Sequence, residues 1–87
     1  MITYYGKYIE DDGTATPFKI VAEGNKLSIS YDEGEKQIVK SLRIMHNAKW
    51  IWRLNDKSVS CRNVAEMIDR FKEYPAYARA TFRRYCR

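Results

Sequence analysis

Apolar residues recur at every second position through the first 60 residues and at every third or fourth thereafter, the periods of a half-buried sheet followed by helix. Residues 2–9, rich in Tyr and Ile, read as a strand that Asp11, Asp12 and Gly13 end, with Pro17 closing a polar loop. In 18–23, Phe18, Ile20 and Ala22 share one face and Lys19, Val21 and Glu23 the other. Gly24-Asn25 is a two-residue hairpin signal. In 26–31, Leu27, Ile29 and Tyr31 point inward and Lys26, Ser28 and Ser30 outward. Residues 32–35 form a second, acidic turn. In 37–45, Ile38, Leu42 and Ile44 share a face that Lys40 interrupts, the pattern of an exposed edge. A turn at His46-Asn47-Ala48 precedes 49–54, where Trp50, Trp52 and Leu54 share a face. Asn55-Asp56 is the last turn, and 58–60 a very short strand.

Beyond residue 62 the period changes. Val64, Met67, Ile68 and Phe71 stand at i, i+3, i+4 and i+7, one stripe of a helix. Asn63 with Glu66 three residues on is a capping box with asparagine in the cap. Glu66 and Asp69 suit the positive end of the helix dipole, and Glu66 and Arg70 have the spacing of an ion pair one turn apart. Pro75 stops this helix, because the residue before a proline resists helical geometry. Helices are therefore predicted over 63–74 and 76–87. In the second, Ala78, Thr81, Phe82, Tyr85 and Cys86 share one side, and Arg79, Arg83, Arg84 and Arg87 take the other. The class is α+β, a single domain over 1–87: an antiparallel β-meander of about five strands followed by two C-terminal helices.

A chain of 87 residues buries roughly 60–65% of its unfolded surface, so most large apolar side chains are needed for the core. No apolar run approaches the ~20 residues of a membrane span, and the N-terminus lacks a signal-peptide core. The expectation is a small, complete cytoplasmic gene product with no membrane partner. Two cysteines, Cys61 and Cys86, and one histidine, His46, fall short of a structural zinc site. In a reducing compartment the two thiols are expected unpaired, a disulfide between them being the alternative.

Catalytic patterns are missing. His46 lies in a predicted turn without a sequence-adjacent partner. No serine stands in G-x-S-x-G, and the four glycines are scattered rather than gathered into a phosphate-cradling loop. The acidic run Glu10, Asp11 and Asp12 is read as a solvated turn. No enzyme, metal or cofactor is expected.

Charge alters the picture. Residues 1–35 hold three Lys against seven Asp and Glu, a net −4, and residues 36–87 hold thirteen Lys and Arg against four, a net +9, together the +5 of the chain. Such an excess over half a small domain points to an anionic partner. Arg79, Arg83 and Arg87 follow at one-turn spacing with Arg84 beside them, and guanidinium groups pair bidentately with phosphate and carboxylate. In 49–53, Lys49, Trp50, Ile51, Trp52 and Arg53 interleave aromatics with cations. Two readings of the tryptophans stand, stacking platforms for bases or helix-packing core. Tyrosines near both ends of the chain are open to the same two uses.

The order Phe18-Lys19-Ile20-Val21-Ala22-Glu23, Leu27-Ser28-Ile29, Val39-Lys40-Ser41-Leu42-Arg43-Ile44 and Lys49-Trp50-Ile51-Trp52, closing on a helix from Asn63 to Pro75, resembles a Src-homology-2 domain over 18–75. The resemblance implies a sheet-plus-helix layout and a phosphopeptide partner. Ala22 stands at the position of that family's phosphotyrosine-binding arginine, and Ser41 at that of its sheet histidine.

The leading expectation is a non-enzymatic module that binds nucleic acid. Arg79, Arg83, Arg84 and Arg87 would contact phosphates, and Lys49, Arg53 and Arg62 would assist. The second is a small viral or mobile-element type of protein that grips an acidic surface of a host protein and inhibits or regulates it. The third is a phosphopeptide-binding module.

Overall fold

The computed structural model describes residues 1–43, 50–54 and 57–86, the side chains of 50–60 excepted. Four strands, β1 (Ile2–Ile9), β2 (Ala15–Glu23), β3 (Lys26–Glu33) and β4 (Lys36–Arg43), form one antiparallel sheet in chain order. A separate antiparallel ribbon follows, β5 (Trp50–Leu54) with β6 (Lys57–Cys61), then helices α1 (Val64–Glu73) and α2 (Pro75–Cys86). The α+β class and the strands-then-helices order agree with the sequence reading. The five-strand meander does not: the described residues hold a four-strand meander and a two-strand ribbon outside it. Ile44, Met45, the turns at 46–48 and 55–56, Lys49 and Arg87 lie outside the described residues.

Local chemistry sets the hairpins. Asp12 accepts from the Thr14 amide (2.9 Å) and hydroxyl (2.7 Å), closing the β1–β2 turn. Gly24 (φ 59°) and Gly34 (φ 63°) each take the first position of a two-residue loop, where a positive φ matches the strand twist. Strand β2 starts earlier than expected and contains Pro17, opposite Lys7. The ladder to β3 begins only at Phe18, so Pro17 has a neighbour on one side alone, the edge-like position a strand proline tolerates.

Register then decides the two faces. Tyr4–Ile20–Ile29, Gly6–Phe18–Tyr31–Ile38 and Ala22–Leu27–Leu42 align across the sheet, and Phe18, Ile20, Ala22, Leu27, Ile29 and Tyr31 are buried. Both helices lie on this face. Phe71 of α1 meets Tyr4, and Phe82 of α2 stacks on Phe18 (4.7 Å, 11°), with Tyr8 at 5.3 Å and Tyr31 edge-on at 5.1 Å. The thinnest dimension is 18 Å, room for one sheet and one helix layer. Among the described residues no helix covers the opposite face.

The helix ends differ in detail from the expectation. Asn63 caps α1 by accepting from the Glu66 amide (2.9 Å), while the Glu66 carboxylate accepts from the Arg62 amide (2.7 Å). With its carboxylate turned back to the cap, Glu66 does not pair with Arg70, which bonds Glu73 instead (3.1 Å). Pro75 ends α1, as expected, and also opens α2. Its ring presets the helical φ, and the first turn has no use for its missing amide proton. Tyr77, not assigned to the buried stripe from sequence, is buried with Ala78, Thr81 and Phe82. The Thr81 hydroxyl donates to the Tyr77 carbonyl (2.8 Å), which satisfies a polar group inside the core.

Candidate nucleic-acid interface

Helix α2 is held along its length and at its C-terminal end. Phe82 sits in a cage of Tyr8, Phe18 and Tyr31, and the Tyr31 hydroxyl donates to the Cys86 carbonyl (3.2 Å), satisfying part of the helix C-terminus. A helix pinned by this stripe must turn its remaining positions outward. Arg79, Arg83 and Arg84 are all exposed. Arg79 and Arg83 stand one turn apart, a rise of ~6 Å, and α2 contains no acidic residue. Among the described residues no carboxylate pairs with any of the three. The Arg84 guanidinium lies 5.6 Å from the ring centre of Tyr85, and Arg70 takes Glu73 on the neighbouring helix.

The other expected contacts are not gathered there. Arg62 is exposed at the start of α1, a full helix length (~15 Å) from the α1–α2 junction. Arg53 lies on β5 opposite Ser58, and Trp50 opposite Cys61, with the side chains of Arg53, Trp50 and Trp52 outside the described residues. Lys49 and Arg87 fall outside them altogether. Ala22 and Ser41 lie on opposite faces of the sheet, Ala22 in the core and Ser41 exposed. They do not share a pocket.

What sequence reading missed is on β1 and β2. A depression of about 600 Å³ takes in Tyr5, Lys7 and Lys19 from the uncovered sheet face and Arg79 from α2. Gly6, with no side chain, lines it between Tyr5 and Lys7. Three cations thus border one depression, with Asp32 as the carboxylate on its rim. The alternation that made Phe18, Ile20 and Ala22 core also made Lys19 outward. Only the β1–β2 register, Tyr5 opposite Lys19 and Lys7 opposite Pro17, brings these residues together.

The acidic residues are placed just as unevenly. The β1–β2 and β3–β4 turns lie at the same end of the sheet, because both connect strands running the same way. Glu10, Asp11, Asp12, Asp32, Glu33 and Glu35 therefore share that end. The C-terminus of α2 leans toward it, as the Tyr31–Cys86 hydrogen bond shows. The −4 and +9 segments of the chain are not two halves of the molecule.

Groups suited to catalysis are scarce. Among the described residues no three of His, Cys, Asp and Glu come together as metal ligands. Cys61 and Cys86 are thiols, not joined in a disulfide. Cys61 is buried, and burial pushes its thiol above the ordinary value, with Glu66 adding and Arg70 opposing. Such a thiol is a poor nucleophile at neutral pH. Among the described residues no helix is long and apolar enough to cross a membrane. No protein-family model matches the chain, no curated protein matches it, and no solved structure matches its fold.

Proposed function

We propose that the protein is a non-enzymatic module that binds nucleic acid through the arginine face of α2. The supporting observation is the row of Arg79, Arg83 and Arg84, exposed and without a carboxylate partner among the described residues. Helix-dipole complementarity at a C-terminus accounts for one or two cations, not for three with no acid on the same helix. The row is carried by a helix locked through Phe82 and Tyr31, so little backbone order is lost when phosphates bind. Phosphate contacts give affinity with little sequence preference and a steep salt dependence. A second reading, an acidic protein surface as partner, draws on exposed Tyr74 beside the start of α2, since Tyr and Arg are favoured at protein interfaces.

A gel-shift titration at ~50 and ~200 mM salt tests the proposal. Three phosphate contacts predict a log–log slope near −2.7 on duplex, about a 40-fold loss of affinity over that range. Replacing Arg79, Arg83 and Arg84 with Ala removes the shift. Unchanged mobility of both single-stranded and duplex probes at low salt refutes the proposal.

A further inference from the structure

The row of arginines does not choose between duplex and single strand, but the sheet beside it does. Tyr5, Lys19, Ser30 and Val39 stand opposite one another across all four strands on the uncovered face. Tyr5 is 75% exposed, an unusual state for a large aromatic in a domain this short of core. Among the described residues its side chain makes no ring contact and no hydrogen bond, whereas Tyr4, one residue earlier, packs on Phe18 and Phe71. Lys19 lies directly across from Tyr5, and Lys7 is the next residue on that face. Arg79 of α2 lines the same depression as Tyr5, Lys7 and Lys19, whereas Arg83 and Arg84 do not, so one arginine of the helix shares a surface with the tyrosine.

Resting on the nucleic-acid reading above, we propose that this surface takes a single strand, with a base stacked on Tyr5 and its phosphates held by Lys7, Lys19 and Arg79. An exposed ring on a flat sheet is useful to a base whose face is free. In a duplex, base faces are occupied by neighbouring pairs; in a single strand they are open, and stacking is tolerant of sequence. The charge fits as well, three cations bordering the depression against the single carboxylate of Asp32.

Fluorescence anisotropy with a labelled ~10-nucleotide oligothymidine, and with a duplex of equal length, tests this at ~50 mM salt. The single strand binds more tightly. Tyr5→Ala weakens it roughly 5- to 100-fold and leaves duplex affinity unchanged, and Tyr5→Phe, which keeps the ring, retains binding. Equal melting temperatures for the three proteins show that the fold is intact, as the exposure of Tyr5 leads one to expect. Full single-strand affinity in Tyr5→Ala overturns the inference alone, provided the triple arginine variant still loses both probes. Absence of binding to either probe overturns the underlying nucleic-acid reading. Tighter binding of a polyglutamate chain than of the oligonucleotide overturns both in favour of an acidic protein partner.

Discussion

Gly6→Ala is the most discriminating perturbation of the packing that supports this surface. Alanine is ordinarily the better strand residue by ~0.5–1 kcal/mol, because glycine loses more backbone entropy on folding. Here the added methyl would stand 2.6 and 2.9 Å from ring carbons of Phe18 and 2.8 Å from one of Tyr4, well inside the ~3.5–4.0 Å of a relaxed carbon contact. Gly6 is not in the left-handed region, so the conflict is steric alone. Phe18 has no room to yield: it is 3% exposed and stacked at 4.7 Å on Phe82. Tyr4 is backed by Phe71. Overpacking of this kind costs ~1–3 kcal/mol; with neither ring able to yield, the upper part of that range applies, and the entropic gain leaves a net loss of about 1–2 kcal/mol. In a domain of this size that lowers the melting temperature by ~4–15 °C. Urea unfolding should show a lower midpoint with an unchanged slope. In a Phe18→Leu background, where the ring edge is gone, the same substitution should be less harmful than in the parent. A Gly6→Ala protein as stable as the parent, or more so, would mean that the aromatic cover over Gly6 does not exist as described.

Asn63→Ala removes the cap of α1 and should lower stability by ~1 kcal/mol, seen as a reduced urea midpoint, with Asn63→Asp close to the parent. The Cys61 thiol is raised above its ordinary value of 9.0 by burial, then by Glu66, so the fold favours its protonated form. That contribution is fully present below pH 9.0 and is lost as pH rises through the raised folded value. Stability measured against urea should fall more steeply above pH 9.0 in the parent than in Cys61→Ala. A thiol reagent at pH 8 should modify half-buried Cys86 first and Cys61 only in denaturant.

The sequence spoke most clearly where one periodicity ran without interruption. The stripe Val64, Met67, Ile68 and Phe71 is buried as a unit, and Asn63 caps it. The inward set Leu27, Ile29 and Tyr31 is buried likewise. Residues whose role depends on a neighbour in another element were harder to read. Pro17 signals a loop unless one knows that β3 does not reach it. Tyr77 looks like a surface tyrosine until α2 is seated on the sheet. Glu66 offers Arg70 a partner by spacing, but the Arg62 amide just before the cap takes the carboxylate first. For the proposed binding surface, the arginines of α2 were visible as a helical face. Tyr5 and Lys19 were not visible as a pair, because they are fourteen positions apart and meet only through the β1–β2 register.

Net charge alone says little about where an anionic strand would lie; the placement of the hairpins says more. Strands of the meander alternate in direction, so two of its three turns must fall at one end, and these two, with the end of β3, hold six acidic residues. Their repulsion reaches ~8 Å at physiological ionic strength. Arg83 and Arg84, toward the C-terminus of α2, approach that end, and the depression lined by Arg79, Lys7 and Lys19 reaches it too, with Asp32 on its rim. On the proposed reading, a phosphate chain would be held by Arg79, Lys7 and Lys19 and opposed where Asp32 and the acidic turns begin. From Arg79 to Arg84 the helix rises only ~7.5 Å. A track this short would suit a few nucleotides rather than a long duplex, and on the proposed reading Lys19, directly across from Tyr5 and away from the acidic turns, would set the direction in which the strand continues over the sheet.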